Sequence, residues 1–520
     1  MKIRIMINIK GNGKKFKVKY DQQIFIFIRQ NFEALMSDPM GAYNLIWRTT
    51  KIWPNKVKSL MAHYKALQTP LKKKANLLKL FPEEILLKFP VTDISELIAG
   101  TKGILSIQHY YNVSCKEIGE GFGDTANRMT LEQILEFGDI ALKNNYLKQG
   151  VEWYRLALAW LEEQESKDKK MKSKVRKNFA DAIERHDGHV MSEGLTQYDS
   201  RTKNIFYTNI RPYDKDLEET NLYIALKKDY DDLVKTATVD KDLAGDNLHP
   251  WRFWGSIYVG LDPMRQRLCQ GEIPISRVLK CSLLTHGDPY LTLAPFKYEE
   301  VKKKPWVGII LDLAYPDEME TVKEEARGNL VTTTLVDFNE EGAGDSYTNR
   351  RTSKVTYRSE KAMPDPMAKW TRRIEMSTQL DLTSHRMSSE NYQIMNYGLG
   401  GAILTHRDSD DTDLNNPVYS ESWNNGGPRM ATVMIWISEV VEGGRTVFSG
   451  AQVGVKGRLG AGLVWWNVRS DGSLDSRNHH TGCPVVRGNK WIANKWVKWP
   501  DQMWRYPCHA QRGDHYSFMH

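Results

Sequence analysis

From about residue 31 to 165 the apolar positions of the chain recur at helical spacing, and from 305 onward they gather in short runs. The clearest helical stretch is TLEQILEFGDIALKNNYLKQGVEWYRLALAWLEEQ at 130–164. It predicts two amphipathic helices, with Thr130 as the N-cap of the first and a break near NNYLKQG. Residues 166–240 also read as helical, but they are highly charged and keep the pattern poorly. The short runs behind are rich in β-branched and aromatic residues: WVGIILDLAYP (306–316), YQIMNYG (392–398), ATVMIWISEV (431–440), GRTVFS (444–449), GLVWWNV (462–468), CPVVRG (483–488) and WIANKWV (491–497). Gly, Asn and Asp punctuate them, which predicts a sandwich or barrel of short strands. The chain is therefore expected to be multidomain α + β, all-α in front and β behind.

Within 130–164, Gly138, Ala141, Tyr146, Gly150, Tyr154, Ala157 and Leu158 fall roughly where a tetratricopeptide repeat puts its small and aromatic residues. Residues 1–30 are basic and without pattern, and 241–304 read as a linker with local order. A chain of 520 residues needs more than one core. Its 41% hydrophobic and 26% charged content is that of soluble globular protein. The net charge of +9 comes from short runs such as Lys72-Lys73-Lys74 and Lys302-Lys303-Lys304, the mark of solvated faces or linkers rather than a nucleic-acid footprint. No 18-residue apolar run is present, and the first residues lack the apolar core of a secretory signal. Five cysteines and one Asn112-Val113-Ser114 sequon pull the other way, towards an oxidising lumen.

Two His-x-Asp tripeptides occur, His286-Gly287-Asp288 and His406-Arg407-Asp408. In an extended segment residues two apart share a face, so either could offer two ligands to one metal. A mononuclear Fe(II) site needs a second His from a later strand. Downstream of His406, SRNHHTGCPVVRGNK at 476–490 offers candidates, whereas His286 is followed by no matching ligand and no comparable run of strands before 390. His480 lies an even ten residues before Lys490, so both could face one interior; His479 is the alternative ligand. Lys490 would then be a buried cation in need of a partner, which the distal carboxylate of 2-oxoglutarate would supply. His286 is read as the decoy.

NYGLGGAILTHRD (396–408), GGRTVF (443–448), LVWWN (463–467) and HTGCPVVRGNKWIANKW (480–496) resemble the catalytic domain of animal collagen prolyl 4-hydroxylase α subunits. DPMGAYNLIWR (38–48) and LCQGE (268–272) extend the resemblance forward. It implies a dimerisation-like helical region at 31–95, a tetratricopeptide-like peptide-binding domain at 96–240, a linker with a Cys pair at 241–304, and a double-stranded β-helix (jelly-roll) oxygenase domain at 305–510 before a tail at 511–520. It implies hydroxylation of peptidyl proline at C4 with Fe(II), 2-oxoglutarate and O2, releasing succinate and CO2, with ascorbate as protector of the iron. Its partners would be protein disulfide isomerase as β subunit and proline-rich, collagen-like peptide. Its place would be the endoplasmic reticulum lumen.

By resemblance, His406, Asp408 and His480 are the metal ligands and Lys490 anchors 2-oxoglutarate, with Tyr397, Thr432 and Trp436 lining its pocket. Tyr111, Tyr146, Arg201, Asn204 and Tyr207 are candidate peptide contacts. Cys269 with Cys281, and Cys483 with Cys508, match the family's disulfides. Thr405, Arg407 and Trp436 depart from the family's residues at the site, and Phe179, Ala182 and Arg185 stand where a run of tyrosines is expected. These departures leave two alternatives open: a weak or inactive subunit that only binds proline-rich peptide, or an oxygenase for non-collagen peptides.

Overall fold

The computed structural model describes residues 9–11, 14–16, 38–52, 54–55, 94–122, 128–144, 146–163, 168–197, 263–272, 280–332, 353–383, 388–409 and 427–507. A small hairpin, β1 (Ile9–Gly11) with β2 (Lys14–Phe16), stands at the start. Helices follow: α1 (Pro39–Trp47), α2 (Ile94–Tyr111), α3 (Cys115–Gly121), α4 (Leu131–Lys143), α5 (Leu147–Glu163) and α6 (Lys169–Gln197). Thr130 caps α4 in a reciprocal box with Gln133, which satisfies two backbone donors that the first turn would leave bare. α4 ends at Lys143 and α5 begins at Leu147, close to where the pattern predicts a break. Gly138 lies against the Tyr154 ring and Gly150 against Leu142, so the missing side chains let α4 and α5 pack closely. Their shared core joins Tyr43, Phe137 and Trp153, with ring centroids 4.9 and 4.4 Å apart along that series.

After α7 (Pro263–Gln270) the chain becomes mainly β. One sheet has nine strands, in the order β3 (Lys280–Leu284), β4 (Phe296–Lys302), β5 (Val307–Ile310), β14 (Gly462–Trp466), β10 (Arg429–Trp436), β17 (Lys490–Lys498), β8 (Tyr392–Tyr397), β7 (Lys354–Arg358), β6 (Val331–Thr332). A four-stranded sheet runs β13 (Val453–Val455), β12 (Thr446–Phe448), β15 (His480–Gly482), β9 (Ile403–His406). A ribbon of β11 (Val440–Gly443) and β16 (Val485–Gly488) completes the set. The fold is consistent with a jelly roll.

Side chains on the large sheet alternate between two cores. Met395, Met434, Trp465 and Ile492 face the small sheet, while Ile394, Val433, Trp466 and Ala493 pack under α9 (Pro316–Arg327) and α10 (Lys369–Thr378). This alternation, period two along each strand, is why the central strands β5, β14, β10 and β17 are buried nearly throughout: both faces are covered.

The sequence expectations need two corrections here. Residues 280–302 are not linker: β3 and β4 extend the large sheet at one edge, and a short helix, α8 (Pro289–Leu293), joins them. Their alternating charges (FKYEEVK) conceal a strand with only part of one face buried. The cysteine pairing also differs. Cys269 is bonded to Cys483, their Cα atoms 5.7 Å apart, because α7 docks on β12 and β13 beside the end of β15. Cys281 is exposed on β3 and carries a free thiol, so the 269–281 pair does not form. Cys508 lies outside the described residues, and Cys483 is already taken.

Candidate metal centre

β9 and β15 run antiparallel, and His406 lies directly opposite His480. Their ring centroids are 4.3 Å apart. Asp408, two residues past His406, turns its carboxylate towards both: Oδ1 is 3.5 Å from His406 Nε2, and Oδ2 is 3.8 Å from His480 Nε2. One ligand atom from each of the three lies within 4.8 Å of the others. No second such group occurs among the described residues.

The surroundings fix the protonation states that a metal requires. His480 Nδ1 is 3.1 Å from the Asn478 carbonyl, which can only accept. That nitrogen therefore carries the proton, and Nε2 keeps its lone pair for the metal. Burial, joined by the His406 ring, pushes the His480 pKa down to about 3, so the ring is neutral. Burial by itself would raise the Asp408 pKa. The His480 ring, a hydrogen bond and attraction from His406, and the Arg429 guanidinium outweigh it and hold the carboxyl far below its usual range. Thr432 donates to Asp408 Oδ2 at 2.8 Å and accepts from Asn467 Nδ2 at 3.0 Å. Two imidazoles and one ionised carboxylate, open on one side, fit Fe(II).

The open side faces a cavity lined by Met395, Tyr397, Thr446, Lys490, Asn494 and Trp496, among others. Lys490 is 2% exposed and has no carboxylate partner among the described residues. Its Nζ reaches Thr446 Oγ1 at 3.4 Å and stands 5.4 Å over the Tyr397 ring. Burial pushes its pKa down to about 7. Trp465 Nε1, Trp496 Nε1 and Asn494 Oδ1, from residues that line the same cavity, are buried without a hydrogen-bond partner among the described residues. Orphaned polar atoms and a lone buried cation are costly unless a ligand completes them. A dicarboxylate fits the cation.

His406, Asp408, His480, Lys490 and Tyr397 thus come together. His480 and Lys490 do so across two sheets rather than along one strand, so the parity of their spacing is not what unites them. Thr432 holds the ligand carboxylate instead of lining the cavity, and Trp436 packs beyond it in the core against Gly457. Thr405 bonds Thr481 across the ladder at 2.6 Å, and Arg407 is exposed. Tyr111 is tucked against the β region, its hydroxyl on the Pro484 carbonyl at 2.7 Å, and is no free peptide contact. Tyr146 is half-buried; Arg201, Asn204 and Tyr207 lie outside the described residues. Ala182 is fully buried among Leu142, Leu147, Val151 and Tyr154, with Phe179 packed beside it, and Arg185 donates to the Leu142 carbonyl at 3.1 Å. A tyrosine would not fit at 182. Sequence reading missed Thr446, Asn467 and Asn478. Asn478 acts through its backbone carbonyl, which leaves no trace in residue type.

Residues 392–498 match the 2OG-Fe(II) oxygenase superfamily. Over 484 residues the chain is 28% identical to prolyl 4-hydroxylase subunit alpha-2 of Caenorhabditis elegans, covering 91% of this chain and 82% of that one. It is 32% identical over 236 residues to human prolyl 4-hydroxylase subunit alpha-3, covering 45% of this chain but only 41% of that one. Among solved structures, the viral collagen prolyl hydroxylase of Paramecium Bursaria Chlorella virus-1 in its 2OG complex aligns with 37% of this chain and 95% of its own, at 22% identity and a TM-score of 0.29.

Proposed function

We propose that this chain, a 2-oxoglutarate- and Fe(II)-dependent oxygenase of the prolyl 4-hydroxylase α-subunit type, hydroxylates C4 of peptidyl proline in procollagen-like, proline-rich chains. The observation that carries the reading is a facial His406–Asp408–His480 set looking across a cavity at buried Lys490. His406, Asp408 and His480 would hold the iron, which when bound would supply O2 activation coupled to loss of CO2 from 2-oxoglutarate, one oxygen atom going to succinate and the other to the product hydroxyl.

The chain's own residues do the rest. Lys490 pairs with the distal carboxylate of the co-substrate, and Thr446 steadies its ammonium. Thr432 and Asn467 keep the Asp408 carboxylate aimed, and the Asn478 carbonyl keeps His480 in the tautomer that ligates. Trp465, Trp496, Met395 and Ile492 wall the cavity with apolar surface that excludes water. The packed α4–α5 pair supports a peptide-binding role for a tetratricopeptide-like helical region, where a pre-extended polyproline chain loses little entropy on docking. The buried Cys269–Cys483 bond supports an oxidising compartment such as the endoplasmic reticulum lumen, with protein disulfide isomerase as partner and ascorbate available to the iron.

Succinate release with and without (Pro-Pro-Gly)n, alongside hydroxyproline analysis of the peptide, tests the reading. Peptide-stimulated succinate with matching hydroxyproline is expected. Succinate release that ignores the peptide, or hydroxylation only of non-proline residues, overturns it.

A further inference from the structure

The two metal histidines stand on very short strands. β9 and β15 pair at only two register positions, His480 with His406 and Gly482 with Ile403. So short a ladder cannot fix the separation of two rings by its own hydrogen bonds. The ligands occupy one end of it. The other end runs into residues 398–402 before β9 and into Cys483 and Pro484 after β15.

That far end is bound tightly. The Gly400 N–H donates to the Val485 carbonyl and the Val485 N–H to the Gly401 carbonyl, each at 3.1 Å. Cys483 N–H donates to the Arg445 carbonyl at 2.8 Å, and Gly444 N–H to the Pro484 carbonyl at 2.9 Å. Helix α2 presses on the same place from the helical region. Gly103 lies against Leu399 and Gly400 so closely that a Cβ on it would stand 2.5 Å from the Leu399 carbonyl oxygen. Tyr111, the last residue of α2, gives its hydroxyl proton to the second lone pair of the Pro484 carbonyl at 2.7 Å. Gly443 leaves the room, since a Cβ there would come within 2.9 Å of that hydroxyl. The helix end is itself held: Gln266 and Gln270 of α7 donate to the His109 and Tyr110 carbonyls, both at 2.8 Å, and Cys269 of α7 is bonded to Cys483.

We propose that Tyr111 is a positioning residue for the metal centre: by fixing Pro484 at the base of β15, while Gly103 fixes the approach to β9, helix α2 sets the spacing of His480 and His406. The inference rests on the reading of His406, Asp408 and His480 as metal ligands. It makes the helical region part of the metal site's framework as well as a candidate peptide binder.

The test titrates Co(II) into the full chain and follows its visible absorption bands, with no co-substrate or turnover involved. Tyr111→Phe keeps the ring and removes one hydrogen bond. It should weaken Co(II) about fivefold, the factor expected for one such bond, and alter the band shape. The metal-free protein should still unfold cooperatively, its midpoint lowered by no more than in the Tyr154→Phe control, which also loses one hydrogen bond. Tyr154→Phe, which loses a bond to Asp139 elsewhere in the helical region, should bind Co(II) like wild type. Should Tyr111→Phe fail to fold, Gln270→Ala frees the same helix end and is read in the same way. Unchanged Co(II) affinity and bands in the Tyr111 or Gln270 variant, or an equal loss in Tyr154→Phe, overturns the inference. If wild type binds Co(II) no better than His480→Ala, the metal reading itself falls, which is a separate result.

Discussion

Asp288 and Asp408 each end a His-x-Asp tripeptide, yet they do unlike work. Asp288 Oδ1 accepts the N–H groups of Tyr290 and Leu291 and so caps α8, and His286 reaches the Ser377 carbonyl at 2.8 Å. The tripeptide is a turn there and a strand end at 406–408. What separated the copies in the sequence was the later histidine; the tripeptides themselves read alike. His406→Ala and His480→Ala should each weaken Fe(II) by more than about a hundredfold, beyond what loss of a supporting contact costs, whereas His286→Ala and His479→Ala should stay within about twofold. Equilibrium dialysis of iron checks this. Lys490 adds a pH signature. Its pKa of about 7 in the free protein means that the ammonium is lost as pH rises through neutrality, while a dicarboxylate needs it charged. Binding of 2-oxoglutarate should therefore take up a proton above pH 7 and weaken by about tenfold per pH unit there. Lys490→Arg should flatten that slope, as calorimetry in buffers of different ionisation enthalpy would show. Linkage also implies a stability effect of the opposite sense. The unfolded lysine holds its proton longer than the folded one, so the co-substrate-free protein should gain stability from this group as pH rises above about 7.

At the scale of elements, the strands that showed in the sequence are those covered on both faces. β17 shows why: Lys490, Ile492, Asn494 and Trp496 turn to the cavity while Trp491, Ala493 and Val497 enter the outer core. β3, at one edge of the large sheet, and β7, next to the other edge, were not read, because part of each meets solvent and their charges break the pattern. The outer helices were also missed, although PDEMETVKEEAR begins with Pro and acidic residues as a helix should. Their joint is a partly buried ion pair. Glu318 of α9 accepts two bonds from Arg373 of α10, at 2.7 and 2.8 Å, and one from Trp370 Nε1 at 3.0 Å. Burial alone would raise the Glu318 pKa, but Arg373, the Tyr315 N–H and Trp370 together lower it. The stabilisation from that carboxylate is present above the ordinary Glu range and fades as pH falls through the lowered value. Arg373→Ala removes two charge-assisted bonds and should cost about 1.5–3 kcal/mol in urea unfolding at neutral pH. Thr130→Ala, which removes only the α4 cap, should cost about 1 kcal/mol.

At the scale of the molecule, the described helices between 39 and 197 precede the large sheet as the pattern suggests, a small hairpin at 9–16 stands before them unforeseen, and the way helices and sheet meet was not legible. Contacts such as Gly103 with Gly400 join residues hundreds apart, and nothing in local pattern encodes them. The cysteines show the same limit, since which thiols meet depends on where α7 docks. Alkylation of the native protein should modify Cys281 readily and Cys115 only after unfolding, because one is exposed and the other buried. Mass mapping without reduction should recover a Cys269–Cys483 linked peptide. Cys269→Ser should lower stability by about 2–4 kcal/mol, read from chemical denaturation. That bond spans 214 residues, and chains emerge from the ribosome in order. At roughly 5–20 residues per second, Cys269 waits on the order of ten to forty seconds for Cys483 to be synthesised. Cys281 arrives after only twelve residues, long before Cys483. The nascent chain therefore meets the wrong partner before the right one. In an oxidising compartment, a yield of native protein that rises with added thiol–disulfide exchange catalyst, and rises less for Cys281→Ser, is the expected trace of that order.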